Sequence, residues 1–158
     1  RNKVYVKKGD VIFIPAGTIH AIGAGILICE IQQNSNITYR VYDYNRRGAD
    51  GRLRALHVED ALAVIEKIPH PLSVRAESDP AQGMLAKCGF FTVYHRAGAF
   101  SMAAGPESFI HLLCLDGGAA LRWQGGEMSV RKGESIFIPA GFGKFSVSDG
   151  AELIVSTR

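Results

Sequence analysis

The sequence predicts a mainly β protein with the antiparallel strands of a jelly roll. Short runs rich in Val, Ile, Phe and Tyr recur along the 158 residues, and Gly, Asp and Pro separate them. The runs follow each other at intervals of about ten residues, which is typical of sandwiches and barrels rather than of alternating strands and helices. One segment also occurs twice, once near each end of the chain. Such an internal repeat indicates two related β units.

Each apolar run rich in β-branched or aromatic residues is predicted to be a strand. The predicted strands cover residues 4–6, 11–14, 26–28, 38–42, 90–94, 109–115, 119–123, 135–138 and 153–155. Two glycine pairs between them, Gly117-Gly118 and Gly125-Gly126, are predicted to form hairpin turns. Neither pair has the context of a phosphate-binding loop, so no nucleotide site is expected.

A helix is predicted over residues 57–67. Apolar side chains recur there at helical spacing, acidic residues surround them, and Pro69 follows. The helix is expected to connect the two β units. The predicted segments are therefore a first β unit at residues 1–54, a linker helix at residues 55–69 and a second β unit at residues 70–158.

The repeated segment is KGDVIFIPAG at residues 8–17 and KGESIFIPAG at residues 132–141. Gly9 and Gly133 permit a turn with positive φ, and the Pro-Ala-Gly sequence turns the chain again. The apolar run between the turns predicts a strand that is buried between sheets in both copies.

The two copies differ at the position where chemistry would be done. Eleven residues after its first glycine, the first copy leads to His20 and the second to Lys144. Imidazole is a common metal ligand, whereas a lysine ammonium is a hydrogen-bond donor only. The second unit is therefore predicted to lack a metal site of this kind and to serve as a packing or capping module.

Composition excludes several classes of protein. The 18 basic and 15 acidic residues are scattered, so no nucleic-acid interface is expected. No apolar run approaches the roughly 18 residues that would span a bilayer. The three cysteines, Cys29, Cys88 and Cys114, form no C-x-x-C pair and have apolar neighbours. They are predicted to be reduced core thiols, which favours a cytoplasmic protein.

Residues 9–20 have the form G-x5-P-x-G-x2-H, which resembles the second motif of the cupin superfamily, where the histidine binds a divalent metal. The longer segment 15–43 resembles the C-terminal half of the catalytic domain of type I mannose-6-phosphate isomerases, in their short bacterial form. These zinc enzymes interconvert mannose 6-phosphate and fructose 6-phosphate. The resemblance covers essentially the whole chain, and residues 9–46 are its diagnostic part.

The resemblance implies a role for three residues. His20 corresponds to a zinc ligand, Arg40 to the active-site arginine and Glu30 to a carboxylate that lines the substrate pocket. It also implies that residues 1–54 complete a catalytic cupin and that residues 70–158 form a second jelly roll. One zinc ion is expected per full-length subunit. The family's other zinc ligands lie in the half that precedes this chain, so the chain alone is expected to be inactive and to offer strand edges for oligomerisation.

The chemistry of aldose–ketose isomerisation agrees with these residue types. A proton moves between C1 and C2 through an enediolate, whose negative charge a permanently protonated Arg40 could stabilise. Glu30 could act as a base, as an acceptor for sugar hydroxyls or as an orienting group.

Each candidate residue also has a plain structural interpretation. His20 could be a hydrogen-bonded histidine at a strand end, Arg40 could form an ion pair with Asp43 or Glu30, and Glu30 could be a strand-end carboxylate. The remaining histidines are predicted to be structural or exposed. They are His57, His70, His95 and His111.

Two other functions remain open at this point. The chain could be a non-catalytic sugar-phosphate-binding or regulatory cupin that retains the His20 corner. Alternatively, it could be a complete small metal-dependent cupin that takes further ligands from a second copy. An upstream H-x-H motif, which such a cupin normally carries, is absent from the sequence.

Overall fold

The structure, a computed structural model, describes residues 3–65, the backbone of 77–79, and residues 83–158. It divides into two compact units, Arg1–Val74 and Arg75–Arg158. The predicted domain boundaries near residues 54 and 70 stay a prediction. Within the described ranges, no helix is long and apolar enough to cross a membrane.

The second unit is an antiparallel β structure. Its strands are β1 (Glu77–Asp79), β2 (Met84–Lys87), β3 (Thr92–Ala97), β4 (Phe100–Ala104), β5 (Ile110–Trp123), β6 (Gly126–Arg131), β7 (Ser135–Ile138), β8 (Gly143–Val147) and β9 (Ala151–Thr157). The strands are hydrogen-bonded in the order β1-β2-β3-β9-β5-β8-β4, and β6 and β7 also pair with β5. The prediction of a mainly β protein is confirmed.

The long strand β5 curls this sheet because its two halves have different neighbours. Residues 110–117 pair with β9, and the start of this half also pairs with β7. Residues 118–123 pair with β6, and the end of this half also pairs with β8. A single strand therefore holds the two faces of the unit together.

Gly117 lies at the change of partners. Its φ is +71°, and a Cβ there would overlap the carbonyl oxygen of Gly150. The predicted hairpin at Gly117-Gly118 is therefore wrong, because these glycines bend one continuous strand instead of reversing it. The predicted hairpin at Gly125-Gly126 is confirmed, since Trp123 pairs with Gly126 across a two-residue loop.

The hydrophobic core lies within this curled sheet. Alternate residues of β5 point into it, and β7, β8 and β9 contribute the facing side chains. The least exposed side chains are Leu112, Leu121, Leu153, Val130, Val155 and Cys114. Each fully buried aliphatic side chain of this size stabilises the fold by roughly 1.5–3 kcal/mol.

The three cysteines are free thiols in different settings. Cys114 is buried in the core, as predicted, and burial raises its pKa. Cys88 is half-buried, and Cys29 is exposed. The prediction of a core thiol is wrong for Cys29, because its segment has no neighbouring strand to cover it in the first unit.

The first unit contains little regular structure in its described residues. The predicted strands at 4–6, 11–14, 26–28 and 38–42 are wrong, because none of these segments pairs into a sheet within residues 3–65. A strand needs neighbours for its amide and carbonyl groups and for its apolar side chains. Ile12 is 56% exposed and Leu27 98% exposed, because no such neighbour covers them within the unit.

The predicted helix is observed as α1, Val58–Val64. Its buried side chain is Ala61, and acidic residues occupy its first turn, where they complement the helix dipole. The helix ends where Ile65 becomes extended. Residues 66–67 of the predicted helix and His70 lie outside the described residues. A joining role for the helix stays a prediction.

Candidate functional site

His20 lies just after the second turn of the repeated segment. Gly17 has a φ of +81°, and the Thr18 amide donates to the Pro15 carbonyl at 3.3 Å, which closes this turn. The Nδ1 atom of His20 is 3.0 Å from the Thr18 carbonyl oxygen. A carbonyl can only accept, so Nδ1 carries the proton and Nε2 of the neutral ring presents a lone pair. His20 is exposed, with the nitrogen that suits metal binding available.

Arg40 is held by the start of the helix. The His57 amide donates to the Arg40 carbonyl at 2.8 Å, and the Arg40 amide donates to His57 Nδ1 at 3.3 Å. The ring of Tyr39 lies 6.2 Å from the His57 ring, measured between centroids. Because its imidazole accepts this bond, His57 does not cap the helix with its side chain. His57 is thus structural, as predicted, and it fixes the backbone of Arg40.

Asp43 organises the loop that follows Arg40. It is 5% exposed, it accepts a hydrogen bond from Arg46 Nε at 3.0 Å, and it lies 3.4 Å from Arg54 Nε. The contact with Arg54 is electrostatic, since among the described residues no hydrogen bond reaches Asp43 Oδ2. Two arginines on opposite sides of a loop therefore converge on one buried carboxylate. No motif in the sequence marks this role of Asp43.

The loop enclosed by these ion pairs is compact and basic. Arg47 bridges to Leu53 in antiparallel fashion, and Arg47 Nη1 donates to the Gly51 carbonyl at 2.7 Å. Tyr44 and Asn45 have positive φ values, which place the chain reversal directly after Asp43. The loop therefore keeps a fixed arrangement next to the residue that the family resemblance makes catalytic.

The three predicted site residues all lie in the first unit. Over residues 3–65, no hydrogen bond or ion pair joins His20, Glu30 and Arg40. Glu30 is exposed and Arg40 is half-buried. The ion pair of Arg40 with Asp43 or Glu30, considered as an alternative, is not formed in this unit, because Asp43 binds Arg46 and Arg54 instead.

Zinc in proteins takes three or four side-chain ligands. Across the described part of the chain, no group of three or more His, Cys, Asp or Glu side chains could hold a metal ion. His20 fits as one ligand, but the described residues do not amount to a zinc site.

In the second unit, the other histidines make structural contacts. His95 Nε2 donates to Glu152 at 3.0 Å, and His111 Nδ1 lies 3.5 Å from the Ser156 hydroxyl. Both contacts join neighbouring strands, as the structural interpretation predicts. Lys144, the counterpart of His20 in the repeat, is exposed near the start of β8.

Known proteins resemble the chain along nearly its entire length. Residues 82–158 match the family model for "Mannose-6-phosphate isomerase, cupin domain". The mannose-6-phosphate isomerase ManA of Bacillus subtilis is 39% identical over 98% of this chain and 51% of its own length. The mannose-6-phosphate isomerase of Streptococcus mutans is 35% identical over 98% of this chain and 50% of its own. The chain is therefore similar to mannose-6-phosphate isomerases in both of its units.

The structure agrees with this similarity. It matches the crystal structure of the mannose 6-phosphate isomerase from Bacillus subtilis with a TM-score of 0.64 and 28% identity. That match covers 78% of this chain and 41% of the crystallised one. The chain thus spans about half the length of the isomerases that it resembles.

Proposed function

We propose that this chain is part of a zinc-dependent isomerase that interconverts mannose 6-phosphate and fructose 6-phosphate. The observation that carries the proposal is the similarity over 98% of the chain to proteins named mannose-6-phosphate isomerase, at 39% and 35% identity. Similarity that extends through both units supports a shared activity better than similarity of one module, because a common fold alone does not specify a function.

His20 is proposed to contribute one zinc ligand through Nε2. The hydrogen bond from Nδ1 to the Thr18 carbonyl supports this role, because it fixes the tautomer and the plane of the ring. Zinc, when bound, would polarise the oxygens of the sugar. The other ligands would come from outside the 158 residues.

Arg40 is proposed to stabilise the enediolate. Its guanidinium stays protonated at physiological pH, so it can offset the developing charge without exchanging a proton. Its two backbone hydrogen bonds with His57 hold the residue in place before substrate binds. Glu30 is proposed to bind substrate hydroxyls, since an exposed carboxylate accepts hydrogen bonds from them.

The first unit is proposed to be the second half of a catalytic cupin, and residues 70–158 a further jelly roll without a metal. The apolar side chains that the first unit exposes support this arrangement, because in a closed jelly roll they would face neighbouring strands. On its own, the chain is proposed to bind no stoichiometric zinc and to lack turnover.

The test compares this chain with a fusion. The half of Bacillus subtilis ManA that the chain does not match is joined to the chain, and both proteins are assayed for zinc content and for conversion of mannose 6-phosphate to fructose 6-phosphate. We expect stoichiometric zinc and turnover in the fusion only. Within the fusion, His20→Ala should abolish both properties, while His95→Ala, a matched change in the second unit, should leave both intact.

A third variant tests the role of Arg40 independently of zinc binding. Arg40→Lys keeps the charge but loses the planar guanidinium, so kcat should fall by about 10²–10³ while zinc content is unchanged. A fusion that folds, binds mannose 6-phosphate and gives no turnover would contradict the isomerase and favour a regulatory sugar-phosphate-binding cupin.

A further inference from the structure

Residues 40–57 form a loop whose two ends are tied together by the backbone. The His57 amide donates to the Arg40 carbonyl at 2.8 Å, and the Arg40 amide donates to His57 Nδ1 at 3.3 Å. Between these ends the loop folds back on itself, because the Arg54 amide donates to the Arg46 carbonyl at 3.2 Å. A compact loop with closed ends is packed by its own side chains. The position of Arg40 therefore depends on what holds this loop closed.

Asp43 holds the interior of the loop. Its side chain is 5% exposed, and it forms ion pairs with both Arg46 and Arg54, which lie on the two arms of the inner hairpin. Arg46 Nε donates to Asp43 Oδ1 at 3.0 Å, and Arg54 Nε lies 3.4 Å from Asp43 Oδ2. Without this carboxylate, two guanidinium groups would remain close together with no counter-charge between them, and like charges repel. Asp43 therefore joins the two arms.

The turn beside Asp43 is strained, and the carboxylate of Asp43 spans it. Tyr44 and Asn45 have φ values of +52° and +56°, and the Arg46 amide donates to the Asp43 carbonyl at 3.0 Å. Positive φ at both central residues is a feature of a type I′ turn, which favours glycine, asparagine and aspartate rather than a bulky tyrosine. Strained residues persist where surrounding contacts over-determine the backbone. The ion pair of Asp43 with Arg46 across the turn is such a contact.

We propose that Asp43 is a positioning residue for Arg40 and acts through the closed loop 40–57. The carboxylate keeps the arms of the loop together, and the loop brings His57 back to Arg40. His57 then fixes the Arg40 backbone at both its amide and its carbonyl. The consequence for catalysis rests on the proposed function, whereas the control of the Arg40 backbone rests on the loop alone.

Hydrogen exchange in the 158-residue chain tests this positioning and requires no turnover. Asp43→Asn keeps the shape of the side chain and removes the charge that holds both arginines. We expect the Arg40 and His57 amides to exchange about tenfold faster or more in this variant, because loss of a buried ion pair makes opening of the loop more frequent. Arg54→Gln, which removes one of the two ion pairs, should give a smaller increase. Exchange of the Leu112 amide, in the second unit, should stay the same.

Asp50→Asn is the matched control for the loss of a carboxylate. Asp50 is an exposed residue of the same loop, and its Oδ1 accepts from the Arg52 amide at 3.0 Å. An asparagine oxygen can still accept this bond, so exchange of the Arg40 amide should be unchanged. Equal exchange in the unmodified chain and in Asp43→Asn would overturn the proposal, as would equal acceleration by Asp43→Asn and Asp50→Asn.

The fusion with the unmatched half of ManA measures the effect on catalysis. Asp43→Asn should lower kcat about tenfold or more and leave KM and zinc content unchanged, because Arg40 is proposed to act on the enediolate. In an Arg40→Lys background, Asp43→Asn should cause little further loss, since both changes act through the same guanidinium. Multiplicative losses would overturn an action of Asp43 through Arg40. A fusion without turnover would contradict the proposed function, and the exchange rates would still decide whether Asp43 positions Arg40.

Discussion

The two copies of the repeated segment have the same local structure. Gly9 and Gly133 have φ values of +90° and +83°, and Gly17 and Gly141 have values of +81° and +77°. The hydrogen bonds of the first turn also correspond. The carboxylate of Asp10 accepts from the amide three residues before it at 2.9 Å, and the carboxylate of Glu134 does the same at 2.8 Å. Local sequence therefore determines both turns.

The copies differ in what surrounds them. Ile138 is 2% exposed because β7 pairs with β5 and packs on the core, whereas its counterpart Ile14 is 40% exposed. In the second copy, Phe137 faces outward and stacks on Phe109 with ring centroids 5.1 Å apart. The same apolar run is thus a core strand in one unit and an unpaired segment in the other. Whether this apolar run is buried therefore depends on the strands around it rather than on the repeated sequence itself.

The largest expected effect on stability distinguishes Ile138 from its counterpart Ile14. Ile138→Ala should lower the free energy of unfolding of the second unit by about 2–5 kcal/mol, because it opens a cavity in a packed core. Ile14→Ala should change it by less than about 0.5 kcal/mol. Urea unfolding followed by Trp123 fluorescence measures both. Similar shifts for the two variants would show that the copies are equally buried in solution.

A smaller effect is expected at the first glycine of each copy. Neither Gly9 nor Gly133 has an atom within 4 Å of an added Cβ, so only the positive φ opposes a side chain. Gly133→Ala should destabilise the second unit by about 1–2 kcal/mol. Gly9→Ala should leave the same unfolding curve unchanged. A Gly133→Asn variant checks the cause, since Asn tolerates this conformation and should recover part of the loss.

The carboxylate of the turn should contribute less still. Glu134→Ala removes the acceptor of the Arg131 amide and should cost about 0.5–1.5 kcal/mol of stability in the second unit. Glu134→Gln retains an acceptor and should cost less. Asp10→Ala, the matched change, should not alter Trp123 unfolding. An equal effect of Asp10→Ala would mean that the stability of the second unit depends on the first turn.

The smallest effect is a loss of stability at alkaline pH. Burial raises the pKa of the Cys114 thiol above its ordinary value of 9.0. The unfolded chain therefore releases this proton at a lower pH than the folded unit does. The contribution of the Cys114 thiol to the stability of the second unit is complete below about pH 9. It falls as the pH rises towards the pKa of this thiol in the folded protein. Cys114→Val should reduce the alkaline slope of the stability of the second unit, measured by urea unfolding with Trp123 fluorescence. Cys29→Val, which changes a thiol of the first unit, should leave that slope unchanged.

Part of the fold follows directly from sequence. The predicted strand at residues 135–138 coincides with β7, and the two-residue loop before Gly126 is where the hairpin was expected. Gly117-Gly118 has the same composition as a turn, and only the approach of Gly150 shows that it is a bend. Strands β4 and β8 were not predicted, because their short runs of mixed residues become strands through pairing with each other.

In the candidate site, too, features that are local in sequence could be predicted and features that depend on distant residues could not. The spacing from Gly9 identified His20, because its turn and its histidine are local in sequence. The role of Asp43 depends on its burial and on an arginine 11 residues away, neither of which leaves a pattern in the sequence. The row formed by Ser101, Ser146 and Arg122 depends on strand register, so only the structure brings these side chains to one face.

The bend at Gly117 has a consequence for how the second unit unfolds. Because the strand continues through the bend, each half of β5 completes a different part of the sheet, and neither part can lose its order without removing a neighbour from the other. Cooperative unfolding is the result. Amide protons of Leu112 and Leu121, one from each half, should exchange with solvent through the same global opening, so the second unit behaves as a single thermodynamic unit.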